Sequence, residues 1–142
     1  YGDLYNELSQ LGAEVLLETL QRPVLTPIRE QDISKVTYAA KIKKEDTKID
    51  FNKSASEIEA KIRGLAPMPG AWFNYRNERL KVFKANVRKG TGQPGEIVGP
   101  NFDIGCGKNL LEVLEIQRPG KSVLKVEDFL KGWKIMKGDF VN

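Results

Sequence analysis

The sequence has 142 residues, which is enough for one domain with a sizeable core and some attached structure. A single cysteine excludes an internal disulfide framework, and the absence of histidine removes the commonest general base and the commonest zinc ligand. No apolar run reaches the ~18 residues of a membrane span. We therefore predict a cytoplasmic protein that binds neither metal nor membrane.

The charges are unevenly distributed along the chain. Residues 1–20 carry four acidic side chains and no basic one, whereas residues 21–142 carry 23 basic against 15 acidic side chains. This imbalance favours a polyanionic partner for the larger part of the chain. The alternative is a well-solvated surface without such a partner.

The chain begins with the pattern of an amphipathic helix. Asp3 can cap its start, and the apolar side chains at helical spacing are Leu4, Leu8, Leu11, Val15, Leu16, Leu17 and Leu20. Between Pro23 and Lys48 periodicity is weak, and basic residues accumulate at Lys41, Lys43, Lys44 and Lys48. We expect an extended basic linker there, or a surface connector with no partner.

The next element is a helix that begins at a capping box. Ser54 and Glu57 have the spacing at which each side chain bonds to the backbone amide of the other residue. The predicted buried face comprises Ala55, Ile58, Ile62 and Leu65. Pro67 ends the helix, and Pro69-Gly70 forms a turn into a strand.

The remainder of the chain is predicted to be mainly β. Strands are expected at Ala71–Tyr75 and Arg79–Val87, which flank a hairpin turn, and the alternation changes phase near Lys84-Ala85, where a bulge is expected. Further strands are expected at 96–98, 102–106 and 109–117, and a late helix at 126–133. Short strands separated by turns predict a small OB-like closed β-barrel with short helices.

Two features that could carry chemistry have simpler interpretations. Cys106 has no histidine to activate it and lies between glycines, so we interpret it as a packing residue. Gly105-Cys106-Gly107-Lys108 lacks the spacing of a phosphate loop, and Asn109 stands where a hydroxyl ligand is needed.

Two clusters of basic residues follow the linker. The first extends from Arg76 to Lys89 and contains Arg76, Arg79, Lys81, Lys84, Arg88 and Lys89; the second extends from Arg118 to Lys137 and includes Arg118 and Lys121. Together with the basic linker they predict a surface that binds a phosphate backbone. The aromatic residues Trp72, Phe73, Tyr75 and Phe83 could stack on bases, although alternation favours core packing for most of them.

Several short motifs resemble the C-terminal domain of methionyl-tRNA formyltransferases. They are Ile49-Asp50-Phe51, the helix end Ile62-Arg63-Gly64 and Pro67-Met68-Pro69-Gly70-Ala71, with Lys44-Glu45-Asp46 before them and Leu80-Lys81-Val82, Gly95-Glu96-Ile97 and Asp128-Phe129-Leu130 after them in the family's order. The resemblance covers nearly the whole chain. It departs at Phe51, where the family usually has tryptophan.

The resemblance implies a domain organisation and a role. Residues 1–22 correspond to the last helix of a Rossmann-like formyl-transferring domain that is otherwise missing, residues 23–48 to the basic linker, and residues 49–142 to a barrel that holds initiator methionyl-tRNA. In this family the whole enzyme takes its formyl group from 10-formyltetrahydrofolate. This chain is therefore expected to be inactive alone, to bind no cofactor, and to be a monomer.

The resemblance also implies which residues contact tRNA. Lys41, Lys43 and Lys44 match the family's basic linker, whereas Lys48 and the basic residues of the barrel match only in general character. One alternative is the C-terminal domain of a related formyltransferase that acts on sugar nucleotides, or of a formyltetrahydrofolate hydrolase. The other alternative is an independent OB-like module that binds RNA or single-stranded DNA.

Overall fold

The computed structural model describes residues 1–21 and 30–142. They form two compact units, one of Gly2–Ile42 and one of Tyr1 with Lys43–Asn142. The first contains helix α1 (Gly2–Gln21) and a short 3₁₀ helix at Ile33–Lys35. The predicted N-terminal helix is therefore confirmed, although it begins at Gly2, so Asp3 lies in its first turn rather than at its cap. The linker prediction for residues 23–29 lies outside the described residues.

Helix α1 is amphipathic, yet none of its residues is buried. Leu4, Leu8, Leu11 and Val15 are each more than half exposed. Within residues 1–21 and 30–142, no helix combines the length and the hydropathy needed to cross a bilayer.

In the second unit, helix α2 (Ala55–Leu65) begins at the predicted capping box. The Glu57 amide donates to Ser54 Oγ over 3.3 Å, and the Ser54 amide donates to the Glu57 carboxylate over 3.0 Å. These bonds satisfy two amides that a helix start leaves without helical partners. The pKa of Glu57 is lowered, because the Ser54 hydroxyl and, to a lesser degree, the Ser54 amide donate to its carboxylate. The buried face is the predicted one: Ala55, Ile58, Ile62 and Leu65.

Strands β1 (Ala71–Tyr75) and β2 (Glu78–Arg88) form the predicted hairpin. Its turn consists of Arg76 and Asn77, both of which have positive φ, at 47° and 65°. Two consecutive residues in this region make the turn whose twist suits a two-residue hairpin. The expected bulge is also present, because the register of β2 against its other neighbour shifts on both sides of Lys84.

The remaining strands are β3 (Asp103–Gly105), β4 (Leu110–Gln117) and β5 (Val123–Lys125). All pairings are antiparallel, and the order is β1-β2-β4-β3. Strands β3 and β5 follow one another along the same edge of β4, since β3 pairs with 110–112 and β5 with 115–117. The late helix, α3 (Val126–Gly132), is confirmed and ends one residue before its predicted end.

The prediction of a closed OB-like barrel is wrong. The named strands follow an open path, and β1 and β3 do not pair with each other. The expected strand at 96–98 makes only isolated bridges, between Glu96 and Phe140 and between Ile97 and Ile104. The structure is a mainly antiparallel sheet with a few helices. The sheet stays open because regular pairing stops before its two edges meet.

One hydrophobic core fills the second unit. Ile58 and Ile62 of α2 are almost completely buried, as are Leu80, Val82, Leu111 and Val113 on the inner face of the sheet. Phe73 contacts both Phe51 and Phe102 in edge-to-face geometry, at centroid distances of 5.7 and 5.9 Å. Each buried side chain of this size contributes about 1.5–3 kcal/mol. This core fixes the sheet, whose outer face carries the site described next.

Candidate nucleic-acid interface

The outer face of the β1–β2 hairpin is centred on Trp72. Phe73 and Tyr75, its neighbours in alternation, are buried, whereas Trp72 is half-buried and points to the other face. Trp72 pairs with Lys81 of β2, which in turn pairs with Gln117 of β4. On its other side Trp72 forms a parallel bridge with Lys48. Lys48, Trp72, Lys81 and Gln117 therefore form one row across the sheet.

Two cations lie against the Trp72 ring. The guanidinium carbon of Arg79 is 3.9 Å from the ring centroid, and Lys48 Nζ is 5.9 Å from it. Both distances allow attraction between the cation and the negative face of the ring. The Arg79 guanidinium keeps its donors at its edge when it stacks on a ring, so it can still bind an anion.

Trp72 also joins the end of the linker to the sheet. Its Nε1–H donates to Thr47 Oγ1 over 2.9 Å, and that hydroxyl donates to the Lys44 carbonyl over 2.8 Å. The Ile49 amide donates to the Trp72 carbonyl over 2.7 Å. Thr47 ends the 3₁₀ helix Glu45–Thr47 and is buried. These bonds hold the segment from Lys44 to Ile49 against β1, whose partner strand β2 carries Arg79 and Lys81.

Lys61, on α2, joins this cluster although the sequence did not single it out. Its Nζ donates to the Lys48 carbonyl over 2.6 Å. Partial burial lowers its pKa, and the nearby Lys53 charge acts in the same direction. In the sequence it is one of several polar residues on the exposed side of α2. We use the name Trp72 surface for Lys43, Lys44, Lys48, Lys61, Trp72, Arg79 and Lys81.

The basic residues of the Trp72 surface are available to an anion. Across residues 1–21 and 30–142, no carboxylate forms an ion pair with any of them. Lys81 Nζ donates to the Pro69 carbonyl over 2.8 Å, which uses one of its three N–H groups. None of these basic groups thus has a carboxylate of the described residues at ion-pair distance, although Asp46 and Asp50 lie near enough to Lys61 to raise its pKa against the effect of burial.

Three arginines of the predicted site have carboxylate partners. Arg118 makes a bidentate pair with Glu78, with N–O distances of 2.7 and 3.0 Å, and its hydrogen bonds to Glu78 raise its pKa. Arg76 pairs with Asp139 over 3.0 Å. Arg88 lies 3.3 Å from Asp103 and 3.5 Å from Glu112. These pairs link distant parts of the chain, which gives each arginine a structural role.

The other predicted site residues lie apart from the Trp72 row or in the other unit. Lys84 lies in the β2 bulge, Lys89 follows β2, and Lys121 lies between β4 and β5; all three are exposed. The Lys121 carbonyl accepts a bond from Gln117 Nε2 over 2.7 Å. Lys41 is exposed and belongs to the first unit.

The glycine-rich segment around Cys106 is a packing element. Cys106 is buried, and burial raises the pKa of its thiol to about 11. A side chain at Gly105 would collide with the Gln93 carbonyl, and one at Gly107 with the Asn52 carbonyl. The glycines therefore allow backbone to pack on backbone, and the segment does not form an open phosphate cradle. Among the described residues, no cluster of three or more His, Cys, Asp or Glu side chains could hold a metal ion.

An open groove of about 700 Å³ lies at the opposite end of β1 from the bridge to the linker, beside Arg76, Leu130, Trp133 and Met136. Trp133 stacks on Phe129 at 5.3 Å, and the Arg118 guanidinium lies over its ring at 4.1 Å. Its faces are thus already in contact with protein groups, which leaves mainly its edge to the groove.

Comparison with known proteins gives consistent results. The sequence model for the family "Formyl transferase, C-terminal domain" matches residues 41–134. The chain is 40% identical over 138 residues to the methionyl-tRNA formyltransferase of Ruegeria pomeroyi, a match that covers 96% of this chain and 46% of that protein. It is 39% identical over 141 residues to that of Sinorhizobium medicae, covering 95% and 45%. The chain thus spans about half the length of the curated relatives it matches.

A solved structure shares the fold. HypX from Aquifex aeolicus in complex with tetrahydrofolic acid matches with a TM-score of 0.63 and 19% identity, over 89% of this chain and 25% of that chain. A variant of the same protein matches with a TM-score of 0.64 and 20% identity, over 92% of this chain and 26% of that chain. At this identity the likeness shows the fold alone.

Proposed function

Since the chain belongs to the formyl transferase C-terminal domain family, we propose that it is the part of a methionyl-tRNA formyltransferase that holds initiator methionyl-tRNA. Residues 1–22 are then the last helix of the formyl-transferring domain, residues 23–48 the linker, and residues 49–142 the C-terminal domain. The working enzyme is a monomer in the cytoplasm, and it formylates the methionyl group on the tRNA. The curated relatives, which bear this enzyme's name and are about twice as long, support this proposal.

The observation that carries the proposal is the unpaired charge of the Trp72 surface. Arg79 and Lys48 lie over the Trp72 ring, and none of the five lysines and one arginine of this surface forms an ion pair with a carboxylate of residues 1–21 or 30–142. Like charges repel, so a surface of this kind is stabilised when phosphates bind to it and counterions are released. Lys43 and Lys44 belong to the linker, whose end is bonded to Trp72 through Thr47.

The chemical step requires groups that this chain does not supply. The chain contains no histidine, and its one thiol is buried and protonated at neutral pH. In the family the formyl donor is 10-formyltetrahydrofolate, and the curated relatives are about twice as long as this chain. We therefore assign folate binding and catalysis to the formyl-transferring domain.

We divide the predicted site residues into three groups. The lysines of the linker together with Arg79 and Lys81 contact phosphates directly. Lys84, Lys89 and Lys121 contribute to the field that attracts tRNA, since they are exposed and have no carboxylate partner in the described part of the chain. Arg76, Arg88 and Arg118 hold the fold through their ion pairs and contribute least to binding.

The proposal can be tested by the salt dependence of tRNA binding. A triple variant, Lys41→Ala, Lys43→Ala and Lys44→Ala, should bind tRNA more weakly, with a slope of log affinity against log salt that is lower by about 2 to 3 units. Lys35→Ala is the matched control, because Lys35 lies in the same segment but already pairs with Asp32. Its slope should change by less than about 1 unit.

Two outcomes would contradict this assignment. An unchanged slope in the triple variant would make the linker lysines solvated charge only. Tighter binding of single-stranded DNA than of tRNA would favour the independent binding module. The triple variant should lose affinity equally for initiator and elongator tRNA, because backbone contacts position a nucleic acid without reading its sequence.

A further inference from the structure

Trp72 has an arrangement that packing alone does not require. It is only half-buried, yet three of its groups are engaged: its Nε1–H bonds to Thr47 Oγ1, its ring carries Arg79, and its carbonyl accepts from the Ile49 amide. Phe83, another half-buried aromatic on the same face of the hairpin, has no polar ring atom, and no cation of residues 1–21 or 30–142 lies over its ring. The orientation of the Trp72 ring is thus fixed, and cations lie against the ring.

We propose that Trp72 is a positioning residue for phosphate binding, which holds Arg79 and Lys48 in the geometry that a tRNA backbone meets. This inference rests on the proposed function, because it names the residue that organises the same surface. Trp72 itself does not contact phosphate. It acts through the two cations and through the end of the linker.

The physical reason is the entropy of long side chains. Arginine and lysine lose rotamer freedom when they bind a phosphate, and this loss weakens binding. An Arg79 side chain that already stacks on a ring has lost much of that freedom in the free protein. Its N–H groups remain at the edge of the guanidinium, where a phosphate can accept two of them. Binding then costs less than it would for a free arginine, and without the ring Arg79 and Lys48 would no longer be held at the phosphates, so those contacts and their counterion release would be lost.

The hydrogen bond to Thr47 extends the same effect to the linker. Thr47 Oγ1 accepts from Trp72 and donates to the Lys44 carbonyl, so the ring and the linker backbone are fixed relative to each other. The bridge between Lys48 and Trp72 adds a second constraint. The basic residues of the linker and of β2 are therefore presented in one register, as a rigid backbone such as an RNA stem requires.

Base stacking is the competing explanation for an outward tryptophan. The Arg79 guanidinium already lies 3.9 Å from the ring centroid and occupies one face, while the Lys48 ammonium lies within 6 Å of the same ring. A base would have to displace Arg79 from its stack. The two explanations differ in their salt dependence, because loss of a stacked base removes affinity without removing phosphate contacts.

The test compares Trp72→Leu with Trp72→Phe in the full 142-residue chain, with Phe83→Leu as the matched control. In Trp72→Leu the slope of log tRNA affinity against log salt should fall by about 1.5 units, as it should in Arg79→Ala with Lys48→Ala. Combining all three substitutions should lower the slope no further, because they act as one unit. Trp72→Phe keeps a ring for the cations and should recover most of the slope, and Phe83→Leu should leave it unchanged.

A second measurement uses the free protein. The Nε–H signal of Arg79 in an NMR spectrum should be ordered and shifted by the ring in wild type and in Trp72→Phe, and mobile in Trp72→Leu. An ordered Arg79 in Trp72→Leu would overturn the positioning role, as would a wild-type salt slope in that variant. If wild type itself shows no salt-dependent binding of tRNA, the proposed function fails, and the phosphate role of Trp72 fails with it.

Discussion

The Ser54 hydroxyl accepts from the Glu57 amide at the start of α2, so its removal leaves that amide without a partner. We expect Ser54→Ala to lower the free energy of unfolding by ~1 kcal/mol, the usual effect of losing a cap. Urea denaturation measures it. Ser56→Ala, two residues further on and exposed, should leave stability unchanged or raise it slightly, since alanine favours helix. Equal effects of the two changes would mean that the capping box contributes nothing.

The Asp139 carboxylate makes the stability of the folded protein depend on pH. The Tyr75 hydroxyl donates to its carboxylate over 2.6 Å and Arg76 donates over 3.0 Å; both bonds hold the pKa of Asp139 below its ordinary value of 3.8. A lowered folded-state pKa means that the stabilisation is present at neutral pH and is lost as pH falls below about 3.8.

Asp139→Asn should therefore be less stable than wild type at pH 7, with a difference that shrinks toward pH 2. Urea midpoints of the two proteins at several pH values measure this difference. A difference that stays constant from pH 7 to pH 2 would show that the charge of Asp139 is unimportant. Asp128→Asn is the comparison variant, because Asp128 forms an exposed surface pair with Lys131.

At the scale of elements, the β1–β2 hairpin depends on its two-residue turn. Asn77 has a φ of 65°, a conformation that glycine and asparagine tolerate and that β-branched residues do not. We expect Asn77→Val to destabilise the protein by about 1–2 kcal/mol and Asn77→Gly to be neutral or stabilising. Chemical denaturation measures both variants. A valine variant as stable as wild type would mean that the turn can adopt another geometry.

The elements that the sequence predicted well are those whose signals are local. Ser54 and Glu57 are three residues apart, the hairpin turn is two residues long, and α3 carries Glu127 and Asp128 in its first turn. Closure of the sheet was predicted wrongly because it depends on pairing between distant segments, such as residues 96–97 with 104 and 140. Strand β5 was missed because Val123–Lys125 is exposed throughout and has no alternation.

The same distinction applies to the candidate site. Lys43, Lys44, Lys48, Arg79 and Lys81 could be named from charge alone. The structure places Arg79 and Lys48 against Trp72, pairs Lys81 with it, and links the Lys44 carbonyl to it through Thr47. The partner of Arg118 could not be named, because Glu78 is forty residues away in sequence. Lys61 gave no signal either, since a lysine on the exposed side of a helix is ordinary. The sequence therefore predicts which basic side chains are available, and the fold determines which of them remain without a carboxylate partner.

At the scale of the molecule, every member of the hydrophobic core within residues 1–21 and 30–142 lies in the range from Ile49 to Val141. A fragment of residues 43–142 should therefore fold by itself and unfold in one cooperative transition, with a urea midpoint close to that of the full chain. Tryptophan fluorescence follows the transition, because Trp72 and Trp133 both lie in the fragment. A midpoint far below that of the full chain would mean that residues 1–42 stabilise this unit.

Because Cys106 is buried, the reactivity of its thiol reports local opening of the folded chain. It is the only thiol, it lies in the core, and its raised pKa leaves almost no thiolate at neutral pH. An alkylating reagent can therefore react only when the segment between Gly105 and Gly107 separates from its neighbours. Under conditions where reclosing is faster than alkylation, the labelling rate measures the population of the open form. Mass spectrometry of labelled protein, with and without tRNA, would thus measure the open fraction of this segment without any engineered probe.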